Sequence, residues 1–276
     1  MSRTVDIERL ADILREAALA EIMPRFRNLA EGDIRQKTSA TDLVTEGDEM
    51  AERHIKARCR EIWPEALFVG EESVAADPAL LERLKGADLA IVVDPIDGTA
   101  NFAAGVPLFA VMAAVVEKGR TVGGIIYDPL GEDWMIAEKD AGAWQRGVLG
   151  PLKRLEVAQE IPLSETIACG STTFLPPAER RAMQMQLASV KIVGNYRNAG
   201  HEYRLLASGG AHFCFYSKLM PWDHLPGALI VEEAGGAVSL ADGSPYHGAG
   251  THEGFLIAAC GRQTLQAARD LLVPRV

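Results

Sequence analysis

Two aspartates sit three positions apart at the end of one apolar run. In VVDPIDGTANF, residues 92–102, Asp94 and Asp97 flank Pro95, and Gly98 follows. Like charges this close repel, so the pattern implies either a cation between them or ordinary capping of turns. Two more acids share the setting: Glu71 in FVGEES, where a strand pattern ends, and Asp223 in PWDHLPG, where a helix pattern begins. Ligand sites in α/β proteins gather at the carboxyl ends of strands. Carboxylates without a Cys or His cluster favour a hard cation, Mg²⁺ before Zn²⁺. For any single acid a helix cap is the plainer reading; four acids in equivalent positions favour a metal.

Gly98-Thr99 adds a second kind of chemistry. A helix starting at Gly98 would offer free backbone N–H groups to an anion, and glycine would let that anion come close. The Thr99 hydroxyl then either caps the helix or positions a water for attack. Upstream, KTSATDLVTEGDEMAERHI (37–55) carries Asp42 and Asp48. By itself it is an ordinary helix start with threonine and aspartate caps.

These residues need elements to hold them. Val5, Leu10, Ile13, Leu14 and Ala17 recur at helical spacing, and a second helix pattern runs through Met50, Ile55 and Trp63. ALFVG (66–70) and ADLAIVV (87–93) read as buried strands, with a short helix from Pro78 between them. From Leu108 to Trp144 successive strand patterns turn near Gly119, Gly131 and Gly142, which predicts an antiparallel meander. After Gly150-Pro151 the chain returns to mixed α/β character. IACGS, KIVGN, AHFCFYS and LIAAC read as strands; PPAERRAMQMQLASV, residues 198–208, DHLPGALIVEEAGG and RQTLQAARDLL read as helices. The reading expects lobes at 1–150 and 151–276 within one compact unit.

Composition narrows the classes. The 276 residues carry a formal net charge of −10, which argues against a general hold on nucleic acid or an anionic membrane. Cys59, Cys169, Cys214 and Cys260 form no CxxC pattern and read as buried thiols of a reducing compartment. His54, His212, His224, His247 and His252 lack ligand spacing and read as helix-surface or loop residues. No apolar run is long enough to span a bilayer, acids interrupt the N-terminal apolar repeat, and no GxGxxG follows a strand. A cytoplasmic protein is expected.

Taken in order, KTSATDLVTEGD, FVGEES, VVDPIDGTANF and PWDHLPGALIVEEAGG resemble the inositol monophosphatase family of Mg²⁺-dependent, lithium-sensitive phosphatases. The resemblance implies an α/β (α+β) fold, the five-layer αβαβα sandwich of the inositol monophosphatase and fructose-1,6-bisphosphatase type, often as a homodimer. It implies that Glu71, Asp94, Asp97 and Asp223, with the Ile96 carbonyl, hold two or three Mg²⁺ ions, and that Asp223 also borders the substrate. Gly98 and Thr99 would donate N–H groups to phosphate, while Asp48, Thr99 and Glu71 would orient and deprotonate water. The chain departs from the family where substrate hydroxyls are normally met, with Arg197, Asn198 and Ala199 in RNAGHEYRLLASGG, and Tyr216 where an inositol-recognising glutamate is frequent. Arg197 is either a solvated helix-entry residue or a reader of a second anion. A small phosphorylated metabolite is the expected ligand, inositol monophosphate first. Histidinol phosphate, fructose 1,6-bisphosphate and 3′-phosphoadenosine 5′-phosphate are the alternatives. A regulatory protein contacting RNA or transcription machinery is the reading from another class.

Overall fold

The Asp6 side chain accepts the Arg9 N–H at 3.0 Å and starts α1 (Ile7–Ala17). This computed structural model describes residues 5–30, 32–36, 43–148, 150–246 and 254–272. A π-helical turn, Ala18–Ile22, extends α1. Strands β1 (Ile34–Gln36) and β2 (Leu43–Thr45) pair antiparallel, and α2 (Glu46–Ile62) follows. Next come β3 (Leu67–Gly70), α3 (Glu71–Ala76), α4 (Ala79–Lys85), β4 (Leu89–Asp97) and α5 (Thr99–Ala103). The expected meander then forms β5 (Ala110–Glu117), β6 (Arg120–Asp128), β7 (Asp133–Glu138) and β8 (Gly142–Gly147), with β9 (Lys153–Arg154) added at the edge. These strands make a seven-stranded sheet in sequential order, β3 to β9, in which only the β3–β4 pair is parallel.

The remaining chain builds a smaller sheet. Its elements are β10 (Ile167–Gly170), α6 (Pro177–Leu187), β11 (Ile192–Gly194), α7 (Ala199–Ala207), β12 (Phe213–Tyr216), α8 (Pro221–Glu233), β13 (Ala237–Leu240), β14 (Leu256–Ala259) and α9 (Arg262–Leu272). The strand order is β11-β10-β12-β14-β13.

Period-two alternation explains why β4 reads as a continuous apolar run. Ile91 and Val93 face α1 and α2, where they meet Leu10, Leu14 and Ile55; Ala90 and Val92 face Trp222 and Leu225 of α8. Helices α7 and α8 lie between the sheets, with Tyr203, Leu206 and Leu229 touching Met112 and Ile126 on one side and Cys214 and Leu256 on the other. Outside the smaller sheet, Met183 and Leu187 of α6 and Ala268 and Leu272 of α9 cover Phe213, Phe215 and Ile257. The result is the five-layer αβαβα sandwich. Leu10 and Leu14 are fully buried, and each contributes roughly 1.5–3 kcal/mol by leaving water.

Two expectations change. Strand β4 does not stop at Val93 but runs through both aspartates, and its register against β5 slips between Asp94 and Asp97. Pro95 lies inside the slip and has no N–H to give a ladder. His224 is 2 % exposed rather than a surface or loop residue. The four cysteines are buried and free. Among the described residues, no helix is long and apolar enough to cross a membrane.

Candidate active site

The end of β4 carries the acids. Asp94 is buried, and its Oδ1 accepts the Ile96 N–H at 3.0 Å. Asp97 accepts the N–H groups of Ala199, at 3.3 Å, and Gly200, so it sits at the positive end of α7. Asn198 fixes that approach from both sides of its amide. Its Nδ2 donates to the Asp97 carbonyl at 2.6 Å, and its Oδ1 caps α7 through the His201 N–H at 2.6 Å. A Cβ at Gly200 would sit 3.0 Å from Asp97 Oδ2, so a side chain there would press on the carboxylate. Asp223 arrives from the first turn of α8.

Carboxylate oxygens of Asp94, Asp97 and Asp223 lie within 4.8 Å of one another. Burial pushes Asp94 well above the usual carboxylate range, and the charges of Glu71, Asp223 and Asp97 push it further. Asp97 is raised by burial and by Asp223, against the opposing hydrogen bonds from Gly200 and Ala199. No lysine or arginine is among the groups acting most strongly on either aspartate. An all-oxygen cluster with this much uncompensated charge fits a hard divalent cation.

Gly98, at φ +89°, turns the chain from β4 into α5. A Cβ there would meet Asn198 Nδ2 at 2.7 Å and the Leu108 carbonyl at 3.0 Å. The Gly98 carbonyl accepts from Asn101 and Phe102, which leaves the preceding N–H groups at the open start of the helix. Thr99 Oγ1 lies 2.9 Å from Asp48 Oδ1 and 2.9 Å from the Ile96 carbonyl. Asp48 Oδ2 receives both the Thr45 N–H, at 2.8 Å, and the Thr45 hydroxyl, at 2.6 Å. Asp48 therefore closes a capping box on α2 while its other oxygen faces Thr99. Burial raises the Asp48 carboxyl to about 7 against the Thr45 hydrogen bond, and the Glu71 charge adds to the rise.

A cavity of about 430 Å³ opens over these groups, and every expected site residue lines it except Asp48, which lies behind Thr99. The sequence reading missed Glu202, Phe174, Lys218 and His224, which also line it. Glu202 accepts the Tyr196 N–H at 2.9 Å, and burial raises its carboxyl to about 7. His224 donates from Nε2 to the Lys218 carbonyl at 2.8 Å and accepts the Tyr203 hydroxyl at Nδ1, 3.2 Å away. Burial lowers its pKa to about 4, so it is neutral. Its place after Asp223 was the only signal in the sequence. Asp42, His247, His252 and most of the 31–41 loop fall outside the described residues.

Comparison with known proteins places the chain in a family. A histidinol-phosphatase of Streptomyces coelicolor is 32% identical over 266 residues, 94% of each chain. The Nus factor SuhB of Pasteurella multocida is 32% identical over 234 residues, 81% of this chain and 80% of that protein. Among solved structures, the Thermotoga maritima IMPase superposes with a TM-score of 0.77 at 24% identity, over 96% of this chain and 98% of that one. The profile of the Inositol monophosphatase family matches residues 6–272, so the chain belongs to that family and is a phosphatase.

Proposed function

We propose that the chain is a Mg²⁺-dependent phosphomonoesterase that hydrolyses a small phosphorylated metabolite without a covalent enzyme intermediate. The observation that carries it is the Asp94–Asp97–Asp223 cluster beside the open helix start at Gly98. Glu71, Asp94, Asp97, Asp223 and the Ile96 carbonyl would hold the cation, which lowers the pKa of water and offsets charge on the leaving oxygen. The N–H groups of Gly98 and Thr99 hold the phosphate oxygens. Thr99 Oγ1 orients the attacking water, and its own hydrogen points to Asp48 Oδ1, a buried carboxylate that stores the proton. Attack is in line with the departing ester oxygen: a P–O bond to the water oxygen forms as the P–O bond to the ester oxygen breaks, the ester oxygen takes a proton from solvent, and alcohol and inorganic phosphate leave.

Inositol monophosphate remains the first substrate expected from the family, with histidinol phosphate and the two bisphosphates beside it. A homodimer in the cytoplasm completes the reading, and a monomer in sedimentation velocity would remove that part. The test of the chemistry is phosphate release from this panel with and without Mg²⁺, on wild type and Asp97→Asn. Release that needs Mg²⁺ and is lost in the variant supports the reading. Release that survives chelation sinks it. Similarity to a Nus factor favours the regulatory alternative, for which RNA capture retained by Asp97→Asn is the sign.

A further inference from the structure

A second part of the cavity lining has its own chemistry. Residues 171–175 form a braced loop at the cavity mouth. Thr173 N–H donates to Ser171 Oγ at 3.1 Å, and the Ser171 hydroxyl donates to Thr173 Oγ1 at 2.7 Å. Arg180 of α6 donates to the carbonyls of Thr173, at 2.9 Å, and Leu175, at 3.2 Å, on either side of Phe174. The loop so fixed presents a phenyl ring that is 60 % exposed and lines the cavity. Holding a large apolar ring in water at a cavity mouth is what a stacking platform requires.

Two cations line the same cavity. Lys218 Nζ lies 5.7 Å from the Phe174 ring centroid, and its carbonyl is pinned by His224. Arg197 stands at φ +53°, a backbone region that disfavours any residue with a Cβ. That conformation is held by its N–H to Asn195 Oδ1, at 2.9 Å, and by the next residue's cap on α7. Neither cation forms an ion pair among the described residues, although the acid cluster lines the same cavity. Ser217 Oγ lines the same cavity, is buried and lacks a hydrogen-bond partner among the described residues, and the buried Tyr216 hydroxyl faces the Glu202 carboxyl and Cys214. Tyr216 is only 8 % exposed. A buried hydroxyl without a partner is costly unless a ligand supplies one.

We propose that Phe174, Lys218 and Arg197 form a leaving-group subsite for a nucleotide that carries its planar base and a second phosphate away from the scissile one. The base stacks on Phe174, the second phosphate meets the two cations, and Tyr216 and Ser217 face the sugar hydroxyls. This rests on the phosphatase reading and replaces inositol monophosphate, the substrate the family puts first, with a nucleotide bisphosphate.

Four compounds separate the two features: 3′-phosphoadenosine 5′-phosphate has base and second phosphate, adenosine 2′-monophosphate the base alone, fructose 1,6-bisphosphate the second phosphate alone, and inositol 1-phosphate neither. The wild type is expected to give the largest kcat/KM on the first compound, at least tenfold above inositol 1-phosphate. Phe174→Ala should lower its ratio to fructose 1,6-bisphosphate about tenfold, chiefly through KM. Arg197→Gln with Lys218→Gln should lower its ratio to adenosine 2′-monophosphate by a similar factor. A wild-type preference for inositol 1-phosphate, or ratios that the variants leave unchanged, overturns the proposal. If no compound is hydrolysed, the phosphatase reading is what fails. Calorimetric binding of 3′-phosphoadenosine 5′-phosphate with Mg²⁺ then decides the subsite: tenfold weaker binding by Phe174→Ala sustains it, and no binding by wild type overturns it.

Discussion

The two walls of the cavity are built in different ways. The acidic wall has a contiguous centre: β4 ends in Asp94 and Asp97, Gly98 turns the chain, and α5 begins at Thr99, with Glu71 and Asp223 added from α3 and α8. Hydrogen bonds within that centre span two or three residues, as from Ile96 N–H to Asp94 or Thr99 to the Ile96 carbonyl, while Asp48, Asn198 and Gly200 reach it from afar. The second wall draws on three separated segments, around Phe174, Arg197 and Lys218, brought together by the smaller sheet and α7. The first wall carries charge that must be neutralised; the second carries an exposed ring and two cations without an ion pair among the described residues. A wall made locally can hold reacting groups to fractions of an ångström. One assembled from distant loops can change its residues without disturbing them, which suits selection among substrates.

Substitutions on the acidic wall should therefore cost rate, and the largest loss should follow Asp97→Asn. Activity should fall on the order of 10³-fold or more. The fold should survive, since an asparagine oxygen can still accept from Gly200. Removing a buried like charge should also raise the melting temperature measured with a chelator present. Loss of activity together with a lower chelated melting temperature would show that Asp97 is chiefly a cap of α7. Thr99→Ala comes next, at about 10²–10³-fold in kcat. It removes the hydroxyl that joins Asp48 to the cavity. A kcat within a few fold of wild type would confine Thr99 to capping.

What the sequence disclosed follows the same division. DPIDGT and its neighbours were legible because ligand spacing, strand end and glycine turn occupy a few consecutive residues. The layers were legible because β4, α1 and the meander are long enough to show a period. Strands β1, β9, β11 and β13 hold two to four residues each, and of these only β11 was anticipated. Phe174, Lys218 and Glu202 could not be assigned to the cavity, because only the topology brings residues 174, 202 and 218 to one mouth. His224 was misplaced for a related reason: a histidine after a helix-start acid looks solvated until Tyr203 and the Lys218 carbonyl are known to enclose it.

Glu202, on the second wall, tests how that wall tolerates charge. Its carboxyl rises from 4.5 to about 7 on folding because it is buried. The folded state thus binds the proton more tightly than the unfolded chain does. The resulting stability is fully present below pH 4.5 and is lost as pH rises through about 7. The loss amounts to about 3 kcal/mol. Glu202→Gln keeps an acceptor for the Tyr196 N–H and cannot ionise. Denaturant titrations between pH 5 and 8 should show wild type falling relative to the variant by this amount. Parallel curves would mean that the cavity hydrates the carboxylate.

The smallest effect should have the opposite sign. Arg197 holds a left-handed backbone that costs about 1–2 kcal/mol for a residue with a Cβ. Glycine adopts it freely but loses more entropy on folding, roughly 0.5–1 kcal/mol. Arg197→Gly should therefore stabilise the chain by about 0.5–1 kcal/mol and raise the melting temperature by about 1–3 °C. A side chain kept at a strained position and exposed to water contributes nothing to the core, so its retention needs another reason. If Arg197→Gly instead lowers the melting temperature, the guanidinium has a structural partner and the second wall is not a free binding surface. If stability rises while the preference for a doubly phosphorylated substrate falls, strain at Arg197 is the stability this wall gives up for selectivity.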